Sequence, residues 1–482
     1  MHTDEAINAY ITGQLLAGGT YHYDPRDRHG PALYALALPL AELAGAKNLA
    51  GLTETTVRLG PILTGSLAVL LFISLVPDLT LPVALLAALL WAFAPLPVYY
   101  SRYFIHETLF VAATLGLLGC GWRWLNTGSV AAGMRAGFWA ALMIACKETA
   151  VLSFAAAGIA GGWWLIRQRG RKTALAPRLM ALSNGFFGQP VAQPRPDRMV
   201  ISSTLRWLGA GLGAVIALAL LVIFYSWGGH NWSGLADLAR AGPQFLARAG
   251  GEGHEKPWWY YWQLLAGGWS GWALLALGAV GVFAALKDGA AGALSFWLFY
   301  GLAISLIYSA IPYKTPWLAL NLFLPLVVLA GAGAATLWGL LRDVTQTSGG
   351  RPFVLAAVAG LLILIGHDTW RRVFRQPADE KNPYAYAHTG EDMTRLPERL
   401  AKLVGPQTTI AVVSADPWPL PWYLREFRRV GYWQPGQNPV RADLYLTSPE
   451  AAQALAPRLV HWRWEYFGVR PGVLLILWTP PR

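Results

Sequence analysis

Ten apolar segments between residues 57 and 367, each about the length of a bilayer-crossing helix, leave this chain few folds to adopt. They cover 57–76, 79–97, 108–125, 131–146, 149–166, 207–227, 269–286, 292–311, 316–340 and 352–367. In hydrocarbon every backbone N–H and C=O must be bonded within the protein, so such stretches read as spanning helices. Composition agrees, because 55% hydrophobic and 13% charged residues is too apolar for a soluble chain. The 24 tryptophans suit a protein whose surface crosses two water–lipid boundaries, where an indole satisfies both its ring and its N–H. The expected class is a polytopic α-helical membrane protein.

The net charge of +12 does not point to nucleic acid, since the basic residues concentrate in a loop flanking the membrane. Residues 167–206 carry Arg167, Arg169, Arg171, Lys172, Arg178, Arg195, Arg198 and Arg206 against the single acid Asp197. Such a loop is expected in the cytoplasm. Counting outward from it places 1–56, 98–107, 147–148, 228–268, 312–315 and everything after 368 on the opposite, extracytoplasmic face. A single long helix over 136–166 would reverse this sidedness. It would also bury Lys147 and Glu148 at the bilayer centre, at about 2.5 to 3.5 kcal/mol for each charge, so two spans meeting at Lys147 are preferred.

Three regions follow. Residues 1–56 form an outer loop with the acidic pair Asp4-Glu5 and an apolar stretch, 31–46, which is interrupted by Pro39 and reads as a surface helix. Residues 57–367 are the bundle, with the basic loop inside it. Residues 368–482 read as a small soluble α/β or α+β domain, with a helix near 391–404 and strands near 409–414, 443–447 and 472–478. Cys120 and Cys146 lie in or at the end of apolar runs and support neither a disulfide framework nor a metal-thiolate site.

The charged residues at the ends of apolar runs carry the chemistry. Asp4-Glu5 can supply a general base with an orienting neighbour, or be a solvated acidic pair in a tail. The run Tyr21 to Pro31 mixes rings, histidines and charges as sugar clefts do, and equally as an ordered loop capping helices does. Glu107 follows Arg102 and His106; a carboxylate there can orient an acceptor and Arg102 can hold a phosphate, or the two can form a local salt bridge. Lys147 and Lys314 stand at headgroup depth, suited to a lipid phosphate or to snorkelling at helix ends.

Taken together, these features resemble the GT-C superfamily of glycosyltransferases that use polyprenyl-phosphate sugars, which includes protein O-mannosyltransferases and the aminoarabinose transferase of lipid A. The likeness rests on an outer Asp-Glu pair, a second acid after a later apolar run, spans meeting at Lys-Glu-Thr, and a trailing domain. More narrowly, Tyr23-Asp24-Pro25, His29-Gly30-Pro31, Ser101-Arg102-Tyr103, Cys146-Lys147-Glu148-Thr149, Tyr313-Lys314-Thr315-Pro316-Trp317 and Trp418 to Arg425 look like the flippase-activity-associated family of archaea and some bacteria.

The resemblance implies a GT-C-like bundle in the plasma (inner) membrane that transfers a sugar, with inversion, from a polyprenyl-phosphate donor to a hydroxyl acceptor at the extracytoplasmic face. By matching position it implies Asp4 as base, Glu5 as its partner and Glu107 as the acceptor-orienting group. Arg102, Lys147 and Lys314 are implied at the donor phosphate, and His29, Tyr313, His106, Trp422 and Arg425 around the sugar and acceptor. Expected partners are the lipid-linked sugar, membrane lipid and an acceptor that is protein, lipid or polysaccharide. No cofactor is implied; a divalent cation, Mg or Mn, stays open because no ligand set with convincing spacing appears. Superfamily members place a spanning helix just before the Asp-Glu pair, and a start codon assigned too late is expected ahead of a truncated copy. The competing function is a non-enzymatic flippase or flippase accessory for lipid-linked glycans. Such a protein should carry its charges near the midplane on broken helices rather than at one surface.

Overall fold

The structure, a computed structural model, describes residues 1–172, 203–251, 253–287, 292–344, 350–405, 407–437, 439 and 441–481. All ten apolar segments are helical. The helices that matter below are α1 (Thr3–Leu16), α2 (Ala32–Leu43), α3 (Glu54–Ile73), α4 (Leu81–Phe93), α5 (Glu107–Thr127), α6 (Val130–Cys146), α7 (Ala150–Lys172) and α8 (Ser203–Tyr225). They continue with α9 (Ser233–Ala249), α10 (Gly268–Lys287), α11 (Ala293–Ala310), α12 (Ala319–Val344), α13 (Gly350–Trp370) and α14 (Glu391–Ala401). Seven helical stretches among the described residues are long and apolar enough to cross a membrane, while α2, α4 and α6 are shorter apolar helices. The protein is a polytopic helical membrane protein.

Large apolar side chains face outward along the bundle, among them Leu63 and Leu70 on α3, Val215 and Leu218 on α8, Leu306 on α11 and Ile363 on α13. A soluble protein would hide such rows; here they are the lipid-facing surface. The stretch Pro316–Leu341 occupies the centre, with 83% of its most apolar window buried, whereas Thr204–Tyr225 lies at the periphery with 11% buried.

Without a hydrophobic drive between helices in lipid, close packing of small residues does much of the holding. Gly133 and Gly137 on α6 meet Gly209 and Gly213 on α8 so closely that a Cβ at Gly137 would lie 2.0 Å from the Gly213 carbonyl oxygen. On α10, a Cβ at Gly281 would lie 1.8 Å from the carbonyl oxygen of Leu329 on α12. The glycine contacts with α8 fix the position of α6, whose last residue precedes Lys147.

The chain breaks between α6 and α7 at Lys147-Glu148-Thr149, as the two-span reading requires. Residues 1–30, 104–107, 147–149, 308–318 and the end of α9 converge at one end of the bundle. Arg123, near the end of α5, pairs at 2.5 Å with Asp78, in a one-turn helix that follows α3, at the other end. The basic stretch 167–206 lies mostly outside the described residues, as does Asp288.

Residues 3–16, read from sequence as part of an outer loop, form a helix instead. Its first turn explains why. His2 accepts from the Asp4 amide at 3.1 Å, and the Glu5 carboxylate reaches back to the His2 amide at 3.0 Å, a capping box with two acids at the positive end of the helix dipole. The stretch read as a surface helix is α2, whose Leu33, Tyr34, Ala37 and Ala41 are buried.

The C-terminal domain is a five-stranded mixed sheet with α14. Strands β1 (Ile410–Val413), β2 (Val430–Trp433), β3 (Leu444–Thr447), β4 (Arg463–Arg470) and β5 (Val473–Thr479) stand in the order β2-β1-β3-β5-β4. β1 is parallel to β2 and β3, and β5 is antiparallel to β3 and β4. One apolar core joins Leu396, Val412, Leu446 and Leu477 of this domain to Ala6, Ala9, Leu33 and Ala37 of α1 and α2. The domain therefore holds α1, and with it Asp4, in place.

Candidate active site

A cavity of about 250 Å³ opens at the convergent end of the bundle. Six of the residues singled out from sequence line it: Asp4, His29, His106, Glu107, Lys147 and Tyr313.

Asp4 reaches the cavity because successive helix residues lie about 100° apart, so it and Glu5 face different ways. Among the described residues no side chain bonds to the Asp4 carboxylate, which leaves it available to a ligand. Glu5 is completely buried and accepts from Arg58 Nε at 2.8 Å, Arg58 Nη2 at 3.0 Å and the Phe104 amide at 3.0 Å. Burial alone would raise its pKa, but Arg58 brings it down to about 2. Asn8, one turn on, donates to the Phe104 carbonyl at 2.9 Å and accepts from Tyr34 at 2.7 Å. Glu5 and Asn8 thus clamp the backbone before Glu107 onto α1.

Glu107 opens α5 and accepts from Lys147 Nζ in a buried pair. Burial opposes the charge on Lys147, yet Glu107 holds its pKa above the usual value. Next to it, Glu148 accepts from Tyr23 at 2.6 Å and from His29 Nδ1 at 2.9 Å. Burial raises its pKa, but His29 and the two hydrogen bonds bring it down to about 2. With Nδ1 committed as donor, His29 keeps only Nε2 for another partner. His106 donates to the Gly30 carbonyl at 3.1 Å, and burial, with His29 and Lys147 nearby, holds it well below the usual histidine range, so it is neutral.

The loop carrying His29 is pinned by close backbone approach. The Gly30 amide donates to Cys146 O at 3.2 Å, and a Cβ there would lie 2.2 Å from the Ala145 carbonyl oxygen. Only glycine fits, so His29 is held against the α6–α7 break.

The remaining candidates are not among the lining residues. Arg102 donates to Val373 O at 2.6 Å and lies 4.4 Å from the Phe374 ring. Lys314 is buried and donates to Ile311 O. Residues 313–315 are extended, with Tyr313 bridged to Glu255, so Tyr313 and Thr315 line the cavity while the intervening lysine points away. Trp422 is buried in the core that joins the C-terminal domain to α1 and α2, and Arg425 stacks on it at 4.0 Å and donates to Leu52 O at 3.2 Å. Glu5, Arg102, Lys314, Trp422 and Arg425 therefore lie outside the lining of this cavity, each engaged elsewhere.

Sequence reading gave no role to several lining groups. Arg28 sits in the wall, paired with Asp27 at 2.7 Å. The hydroxyls of Thr149, Tyr308 and Thr315 are buried with no hydrogen-bond partner among the described residues. Unsatisfied buried hydroxyls around one cavity are what a polar ligand would complete. Thr149 and Thr315 stood inside quoted motifs; Tyr308, in the last turn of an apolar helix, gave no signal. Among the described residues no three His, Cys, Asp or Glu side chains gather as ligands.

Residues 40–188 match the family model described as dolichyl-phosphate-mannose-protein mannosyltransferase. No curated protein matches the chain significantly. Two solved structures of ArnT from Cupriavidus metallidurans are similar over 98% of this chain and 93% of theirs: the apo state, at 14% identity and TM-score 0.59, and the undecaprenyl phosphate complex, at 15% and 0.61. The archaeal oligosaccharyltransferase AglB from Archaeoglobus fulgidus, in complex with an inhibitory peptide and a dolichol-phosphate, is similar at 14% identity and TM-score 0.53, over 96% of this chain and 69% of that one. The chain therefore has the fold of the GT-C superfamily of membrane glycosyltransferases.

Proposed function

We propose that the protein transfers a sugar from a polyprenyl-phosphate donor to a hydroxyl-bearing acceptor at the extracytoplasmic face of the plasma (inner) membrane, with inversion. The observation that carries this reading is the uncommitted Asp4 carboxylate sharing one cavity with the Glu107–Lys147 pair and Arg28. The matched family description and the carrier phosphates bound by ArnT and AglB support a lipid-phosphate donor.

The acceptor oxygen attacks the anomeric carbon from the face opposite the carrier. The bond from that carbon to the phosphate oxygen breaks, its electron pair leaves with the phosphate, and the acceptor proton passes to Asp4. Lys147 and Arg28 offset the charge gained by the leaving phosphate, and the fixed cavity supplies the alignment. Glu107 orients the acceptor through its free oxygen. Tyr313 and His29 border the sugar, and the hydroxyls of Thr149, Tyr308 and Thr315 bond to donor oxygens. The test is incubation of the purified protein with a panel of radiolabelled polyprenyl-phosphate sugars and candidate acceptors. A labelled product that depends on Asp4 is expected. Product formed equally by Asp4→Asn protein would remove the assigned base.

A further inference from the structure

A second pocket, of about 690 Å³, lies where α10 begins and α13 ends, and it shares no lining residue with the cavity that holds Asp4. Arg371, Arg372 and Lys381 line it, against one lining acid, Asp379. The Asp379 carboxylate accepts from the Lys381 amide at 2.8 Å. Behind the wall, Asp368 bonds to Ser270 and to Arg372 Nε at 3.0 Å, and Arg371 reaches it at 3.4 Å. Three cations thus line or back this pocket against the two acids Asp379 and Asp368.

Arg372 is the central group. Its side chain is 9% exposed, Nε is bonded to Asp368 and Nη2 donates to Gly267 O at 2.9 Å. Nη1 is buried and makes no hydrogen bond among the described residues, while the Tyr384 ring lies 5.5 Å from the guanidinium carbon. An uncompensated buried guanidinium N–H is costly, which is why such groups sit where a ligand completes them. The backbone is shaped to admit this guanidinium. Gly268 has φ +78, and a Cβ there would lie 2.5 Å from Nη2.

We propose that this pocket is a second, non-catalytic site for a phosphate anion, held by Arg372 with Arg371 and Lys381, and that its source is the headgroup of an anionic membrane lipid. A guanidinium fork matches phosphate oxygens geometrically, and Arg371 and Lys381 add charge at the mouth. The lipid source is argued from the surroundings. Trp259, Trp262, Trp269 and Trp370 are exposed and each adjoins a lining residue in the chain, and exposed indoles are of the kind that mark the headgroup level. This inference stands independently of the transferase reading.

The test uses the full chain in nanodiscs of phosphatidylcholine with and without phosphatidylglycerol, reading retained lipid by native mass spectrometry. Retention of phosphatidylglycerol over phosphatidylcholine is expected, falling about thirtyfold in the double variant Arg371→Gln/Lys381→Gln, at about 1 kcal/mol for each cation removed. That variant leaves the Arg372–Asp368–Ser270 bonds intact. Gly268→Ala, which displaces the Arg372 guanidinium, should give the same loss. A parallel titration of delipidated protein with inorganic phosphate separates the sources. Phosphate binding that the double variant weakens, without any phosphatidylglycerol preference, overturns the lipid assignment. Equal lipid retention by wild type and both variants overturns the site.

Discussion

Lys147, the residue that follows α6, donates to Glu107, the residue that opens α5, and the pair is buried in the wall of the cavity. Neither charge could be left alone there. Lys147→Ala strands a carboxylate and should destabilise the protein by about 3 to 5 kcal/mol. The double change Glu107→Gln/Lys147→Met should regain most of that loss while donor use stays impaired. Thermal unfolding in detergent and the donor KM measure the two effects separately; a double variant with normal donor KM would remove Lys147 from the phosphate.

Asp4→Asn keeps the shape of the first turn of α1 and removes only the proton acceptor. Turnover should fall by about 10² to 10⁴ with the unfolding midpoint unchanged. Glu5→Gln behaves oppositely, because Glu5 bonds to Arg58, the His2 amide and the Phe104 amide rather than facing the cavity. Its first effect should be a lowered unfolding midpoint.

Stability should also report the two depressed carboxylates. Glu5 and Glu148 are both held at about 2, below their usual 4.5. A carboxylate depressed in the folded state contributes stability that is complete above its unfolded pKa and is lost as pH falls through the folded one. Unfolding midpoints should therefore be flat above about pH 5 and decline toward pH 2. In Glu148→Gln the decline should be shallower; an identical slope would show that Glu148 is not held by His29 and Tyr23.

Gly137→Leu drives a side chain into the Gly213 carbonyl, where even a Cβ would lie 2.0 Å away. Separation of α6 from α8 should cost about 1 to 3 kcal/mol and shift Lys147. Disulfide cross-linking between cysteines placed on these two helices should become slower than in the parent protein.

Arg425→Ala removes the stack on Trp422 and the bond to Leu52. Limited proteolysis should then release the C-terminal domain faster, with the donor KM unchanged at the residual activity. A raised donor KM alone would instead return Arg425 to the substrate.

The helices were legible because apolar runs of spanning length have one stable form in lipid. The break at Lys147 was legible because burying that charge at mid-membrane is expensive. β2 and β4 were not: β4 carries Trp464 and Tyr466 on an exposed edge, so its apolar residues do not mark a buried face. In the site, Glu107 and Lys147 stood out as charges at the ends of apolar runs, and Asp4 as half of an acidic pair in an outer loop. The choice between Asp4 and Glu5 depends on how a capping box sets helix phase. The choice between Lys314 and its neighbours depends on which way an extended strand turns each side chain. Neither is written in composition or spacing, and the unpartnered hydroxyls gather only once two distant segments, at 149 and at 308–315, are folded together.

Helix α6 has 17 residues, which at the usual rise is about 25 Å, against about 30 Å for the hydrocarbon layer. A bilayer beside it must pinch inward to meet its ends, drawing the aqueous boundary down to Lys147. On the proposed reading, a carrier can then present its phosphate while its isoprenoid tail remains dissolved among the acyl chains. No lifting of the donor toward bulk solvent is required.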